Sequence, residues 1–354
     1  MEDLLRFAEA LGMLEGSVGE FASSDPIDLG EAYFEVDCRD VEVRRVDEPV
    51  SQGDQPVFGL DSQSSMVRFE AADAYVTTGA LVGPVNFLVP GNARVRWLAL
   101  RLRFKASEGL VNSLEGSIGG FALVKSGIIN RVFDGTYNEE AVREEARAEV
   151  EVGLVRVFRG LGLNGALLML DGPIFPTPRV LTMAGNPYTD LYWGIVRLRV
   201  EAALGSRVIG VVKRLGQSTY YARCRGLSVD DDTMVKNEVS RHFGGNPLYT
   251  AVVGPIKIKV GEYAKYCWYV ASRLGRGVNV VRVEALDPEL AEDGALRAAR
   301  LMNPGGVPIP IGLADRVSRR LNGGAVKLLA STSPLRLTYE GLEELNRSLM
   351  ELGD

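Results

Sequence analysis

Two aspartates stand where a strand pattern stops. Asp61 closes the apolar run Val57-Phe58-Gly59-Leu60 and is followed at once by Ser62-Gln63-Ser64-Ser65. Asp171 closes Ala166-Leu167-Leu168-Met169-Leu170 and is followed by the turn formers Gly172-Pro173. Carboxylates at the carboxyl ends of neighbouring strands, joined by an acid from the packing helix, make a hard-oxygen set suited to Mg²⁺ or Mn²⁺. Such a site can align water with a scissile phosphodiester. An aspartate before Gly or Ser is also an ordinary turn former, so position alone assigns neither residue a role.

Composition narrows the alternatives. The chain has 354 residues, 46% of them hydrophobic and 24% charged, enough for a large core in one domain or two modest ones. A single histidine (His242) and three scattered cysteines (Cys38, Cys224, Cys267) cannot build a four-cysteine, cysteine-histidine or HExxH zinc site. No P-loop, no GxGxxG between strand and helix and no GxSxG elbow occurs. Any metal chemistry therefore falls to carboxylates. The unclustered cysteines suit a reducing cytoplasm, with no cysteine pairing expected. No run reaches the roughly 18 apolar residues of a membrane span, so no membrane association is expected. The net charge of -6 excludes a basic footprint over the whole molecule and confines any nucleic-acid contact to a local groove.

The elements that must position the two aspartates are legible as periods. Leu4, Leu5, Phe7, Ala8, Leu11 and Leu14 predict an amphipathic helix over 2–14, and one strand is expected between Tyr33 and Val43 in a connecting region over 15–55. From Pro56 the chain reads as a meander of short strands; Leu98, Leu100, Leu102 and Phe104 alternate with Arg101 and Arg103 as in a half-buried strand. Residues 138–162 predict a long helix with Val150, Leu154, Val157, Phe158 and Leu161 inward, and 166–171 a central strand covered on both faces. Further strands are expected at 207–215, 256–260, 266–272 and 278–286, and helices at 229–243, 288–301, 311–321 and 338–352. The sum is a three-layer α/β core.

The series GLDSQSS, a Glu-bearing helix, LLMLDGPI, VIGVVKRLGQS, VNVVRVEAL and GVPIPIGLADRV resembles the NurA nuclease family in order and spacing from about Pro56 to Leu321. The resemblance implies an α/β fold with an RNase H-like core, a mixed central sheet flanked by helices. It also implies Mn²⁺- or Mg²⁺-dependent exonuclease and endonuclease action on DNA in end resection, a toroidal homodimer, and a HerA-type hexameric translocase as partner. By the same resemblance Asp61 matches the first metal-binding aspartate, although the family usually has Asp-Gly-Ser where this chain has Asp61-Ser62-Gln63. Asp171 matches the aspartate of the DGP motif, and Lys213 the lysine after the next strand, set against a phosphate. The family glutamate on the intervening helix falls on Glu149 or Glu151, which flank the apolar stripe on its two sides, with Glu115 a third option. Val307 stands where the family has Tyr, and Asp315 where it has His. Asp315 can ligate a hard metal but brings negative charge towards a polyanion. The chain is thus expected to be either a divergent nuclease with a four-carboxylate site or a degenerate dimeric scaffold.

Other residues have local readings beside chemical ones. Asp230-Asp231-Asp232 precede a helix and are expected to cap it, and His242 is expected to interact with the end of the same helix. Tyr220-Tyr221 with Arg223 and Arg225 read either as a stacking surface for a single strand or as a half-buried hairpin. Arg282 and Glu284 share a strand face, as an ion pair or a channel wall. The expected organisation is an N-terminal helix and connection (1–55), the main domain (56–325) and a closing segment (326–354). The opening helix either completes the core or contacts a partner.

Overall fold

The structure, a computed structural model, describes residues 2–14, 35–46, 55–102, 107–118, 122–123, 139–183, 186, 188–275 and 277–350. Helix α1 (Glu2–Leu11) is followed by β1 (Glu35–Asp37), β2 (Glu42–Arg45), the hairpin β3 (Val57–Arg68) and β4 (Ala72–Val82), β5 (Phe87–Val89) and β6 (Leu98–Leu102). Then come α2 (Glu108–Ile118), β7 (Ala122–Leu123), α3 (Glu139–Gly160), β8 (Leu167–Asp171), α4 (Thr189–Ala203) and β9 (Val208–Val212). The second half holds α5 (Tyr220–Cys224), α6 (Asp231–Phe243), β10 (Tyr249–Val260), β11 (Tyr263–Arg273), β12 (Asn279–Ala285), α7 (Pro288–Arg300), α8 (Ile309–Thr332) and α9 (Tyr339–Met350).

Five strands form the centre, in the order β6-β4-β3-β8-β9. β4 runs antiparallel to both its neighbours, while β3, β8 and β9 are parallel. This is the mixed, helix-flanked sheet expected of an RNase H-like core. β12 joins β9 antiparallel and carries the meander β12-β11-β10 outward, where β1 and β2 pair with β10.

The central strands are apolar on both faces because both are covered. On β4, Thr78 Oγ1 donates to the Ser318 carbonyl of α8, while the next residue, Gly79, faces Val150 and Leu154 of α3. Alternation along a strand therefore puts α8 on one face and α3, with α4 beside it, on the other. The larger apolar cluster packs the sheet against α1, α3, α4 and the C-terminal half of α8, and a smaller one packs it against α7 and the start of α8.

Several expectations change. The runs expected as separate strands around Asp61 and Met66 are one strand, β3, long enough to hold Asp61 well inside it. β6 is buried throughout rather than on one face, because Arg101 is buried with Asp73 at 3.0 Å; Arg103 and Phe104 lie outside the described residues. Tyr220 and Tyr221 belong to a short helix, not a hairpin, and both are buried. Helix α8 begins earlier and ends later than expected and runs through the 325/326 boundary. α1 packs Leu4, Phe7, Ala8 and Leu11 into the main core, as a core-completing helix does. Cys38 and Cys224, expected to be unpaired, form a disulfide with Cα atoms 6.3 Å apart; the fold brings α5 beside β1 across a separation of 186 residues. Among the described residues no helix is long and apolar enough to cross a membrane.

Candidate metal centre

The parallel strands β3 and β8 place Asp61 and Asp171 side by side, since Leu60 is in register with Leu170. α8 crosses the same face and adds Asp315. One oxygen from each of the three carboxylates lies within 4.8 Å of the other two. Ser318, one turn after Asp315, donates from Oγ to Asp61, and Gln63 Nε2 donates to the same carboxylate at 3.1 Å. Lys213, one residue past β9, donates from Nζ to Asp171 Oδ2 at 2.6 Å and lies 3.9 Å from Asp315 Oδ1. Gly172, at φ +125°, takes the chain out of β8 through a conformation that a side chain would strain.

Burial dominates the electrostatics. It pushes the Asp61 carboxyl up, with the neighbouring Asp171 charge adding to it and the Ser318 and Gln63 bonds opposing it, to about 7. Burial also raises Asp171, against the pull of Lys213. Both carboxyls are thus biased towards their protonated forms, which a bound cation would oppose. Three converging carboxylates, two of them held above their ordinary range by burial, fit a hard divalent ion in donor type and charge. They open into a cleft of about 370 Å³, whose lining also includes Arg143 and Arg147 of α3, Lys213, Arg214 and Arg319.

The helix acids sit elsewhere. Glu151 is 1% exposed; it accepts from Ser62 Oγ at 2.6 Å and from Arg199, whose other Nη donates to the Pro173 carbonyl at 3.0 Å. The reason is alternation: Asp61 faces α8, so the next residue, Ser62, faces α3 and meets Glu151 on the other side of the sheet. Glu149 points away from both, pairing with Arg96 at 3.0 Å and lining a separate cavity with Arg94, Trp97 and Arg156. The side chain of Glu115 lies outside the described residues. The structure thus brings together Asp61, Asp171, Lys213 and Asp315, keeps Glu151 nearby but bound to arginine, and leaves Glu149 out. Arg143, Arg147, Arg199 and Ser318 were not singled out from sequence, where an arginine-rich chain offers no contrast.

The remaining candidates are structural. Asp230 caps α6, accepting from Thr233 N at 2.7 Å. Asp231 is buried and accepts from the backbone N–H of Tyr220, Tyr221 and Ala222. His242 Nδ1 meets the Glu238 carbonyl at 2.9 Å near the end of α6. Tyr220 bonds Thr177 at 2.7 Å, and Arg225 stacks on Tyr221. Arg282 and Glu284 form a buried ion pair with Lys265, not a channel wall. Burial works against the Glu284 charge, but Lys265 and Arg282 hold its pKa below the usual value. Val307 packs against the α7 and α8 layer.

A family model described as the NurA domain matches residues 56–320. Among solved structures, the NurA nuclease from Sulfolobus solfataricus aligns at 14% identity over 80% of this chain and 86% of that one, with a TM-score of 0.45. A NurA structure with manganese aligns at 9% identity over 82% and 92%, TM-score 0.47. A third, NurA bound to dAMP and manganese, aligns at 8% identity over 75% and 85%, TM-score 0.45. No curated protein matches the sequence.

Proposed function

The chain belongs to the NurA family, and from that premise we propose that it is a divalent-metal-dependent deoxyribonuclease. The observation that carries the proposal is the convergence of Asp61, Asp171 and Asp315 beside Lys213 in an open cleft. These three carboxylates would hold Mn²⁺ or Mg²⁺. Such an ion, when bound, supplies Lewis-acid stabilisation of phosphoryl oxygens and lowers the pKa of bound water. The chain's own groups do the positioning. Ser318 and Gln63 fix the Asp61 carboxylate by hydrogen bonds, and Lys213 holds Asp171 and presents its ammonium to a phosphate oxygen. Asp315, in the family's His position, supplies a third carboxylate in place of a neutral imidazole. Glu151 serves at one remove, through Ser62 and Arg199, and Glu149 has no part in the site.

The same reading proposes DNA as substrate, both single- and double-stranded, with exonuclease and endonuclease cleavage in end resection. It further proposes a cytoplasmic homodimer working with a HerA-type hexameric translocase. The test is purified full-length protein on end-labelled single- and double-stranded DNA with Mn²⁺. Cleavage is expected, and its loss in Asp171→Asn. Intact DNA with and without the ATPase would sink the proposal. A second reading, a degenerate scaffold, draws on the Glu151–Arg199 pair, which occupies the helix acid with a cation. It predicts a dimer that binds the ATPase and leaves DNA uncut.

A further inference from the structure

The cations around the cleft are not equivalent. Lys213 is engaged by Asp171 at 2.6 Å and Arg319 by Asp315 at 3.0 Å, so each is tied first to a carboxylate. On the α3 side, among the described residues Arg147 has only long contacts, Nη1 to Glu144 at 3.4 Å and Nη2 to Glu151 at 3.5 Å. Those are well beyond the roughly 2.7–2.9 Å of a good charge-assisted bond. Among the described residues its buried Nε has no acceptor, and neither has that of Arg143, which donates from Nη1 to Glu140 at 2.7 Å. Burial opposes the charge of Arg147, but Glu144, Glu151, Asp61 and Asp171 together keep its pKa above the ordinary value. A permanent cation with unused fork donors therefore lines the cleft that holds Asp61 and Asp171. Arg143 lies four residues earlier on the same face, roughly 6 Å of helix rise away.

Resting on the nuclease reading above, we propose that Arg143 and Arg147 form the strand-binding wall of the cleft. Arg147 takes the oxygens of the scissile phosphate bidentately, and Arg143 takes the adjacent phosphate of the same strand. The strand then lies along α3, with its reacting phosphate between Arg147 and the aspartates. Arg147 is a catalytic residue in this scheme because it touches the phosphate that reacts. Arg143 provides binding alone.

Arg156, half a helical turn round from Arg147 and lining the separate cavity with Glu149, is the control. The experiment measures fluorescence anisotropy of a labelled single-stranded oligonucleotide in EDTA across a salt series, then cleavage kinetics in Mn²⁺. Arg143→Met and Arg147→Met are each expected to lower the slope of log affinity against log salt by about 0.7, the value of one single-strand phosphate contact. Arg156→Met is expected to leave the slope unchanged. In Mn²⁺, Arg143→Met should raise KM several-fold with kcat near wild type. Arg147→Lys should keep the slope and the Mn²⁺ affinity while kcat falls about 100-fold, since an ammonium cannot replace the fork. Melting curves verify folding, and Arg143→Gln and Arg147→Gln substitute for any methionine variant that fails to fold. Wild-type slopes in both arginine variants overturn the proposal, whether or not the protein cuts DNA. Arginine-dependent slopes in a wild type that never cuts overturn the nuclease reading and leave the binding wall standing.

Discussion

Protonation of Asp61 ties metal binding to pH. Its carboxyl, at about 7 in the folded chain against 3.8 in the unfolded one, is raised by burial and by Asp171. A raised carboxyl stabilises the metal-free fold fully below the unfolded value and loses that contribution as pH climbs through 7. Metal needs the ionised form, so Mn²⁺ affinity should fall by up to about tenfold per pH unit as pH drops below 7 and level off above it. Isothermal titration between pH 5.5 and 8.5 checks this; a flat profile contradicts it. Glu149 and Glu151 make the second contrast. Glu149→Gln loosens a partly exposed pair with Arg96 and should cost at most about 1 kcal/mol, with activity retained. Glu151→Gln breaks a buried pair with Arg199 and should cost about 3–5 kcal/mol by denaturant titration, with activity reduced through Ser62 and the Pro173 turn. Asp61 and Asp171 were legible because each ends an apolar run. The two glutamates were not separable: residues two apart on a helix point roughly 200° from each other, and only the packing of α3 says which direction meets β3.

At the level of elements, the site depends on how closely α8 approaches β3. A Cβ on Gly59, two residues before Asp61, would lie 2.0 Å from the Pro310 carbonyl oxygen, and backbone cannot yield as a side chain does. Gly59→Ala should push α8 outward, destabilise the protein by about 1–3 kcal/mol and move Asp315 and Ser318 away from Asp61. A lowered melting temperature together with weakened Mn²⁺ binding checks it; loss of stability alone, with metal affinity intact, contradicts the link. The expected helices with strong periods exist, as in α1, α7 and α9, while α3 was legible from its run of acids and alanines rather than from a period. Elements whose sequence carries no clean period were missed, among them α4, whose inward face includes Arg199. A half-buried hairpin was one reading of Tyr220-Tyr221, yet the buried Asp231 carboxylate accepts three backbone N–H groups of α5 and stabilises a helix there.

Across the whole molecule, charge is segregated. The net charge is -6, yet five cationic side chains line the one cleft that holds the three aspartates. The outer meander is joined to this core through β12 on β9, and the Cys38–Cys224 disulfide ties the β1 edge of the meander to α5. Closing so long a loop should stabilise the fold by about 5 kcal/mol on the chain-entropy account. Calorimetry with and without a thiol reductant checks it; an unchanged melting temperature contradicts it. No sequence feature announced the pairing, because its partners are far apart in the chain and neither belongs to a CxxC motif. The departure at Asp315 was visible in sequence, but whether it disabled the site or completed it depended on where α8 lies. The most direct measurement is an anomalous difference map from crystals soaked in Mn²⁺. A manganese peak ligated by Asp61, Asp171 and Asp315 is the predicted result; a peak that excludes Asp315, or no peak at these carboxylates, would contradict it.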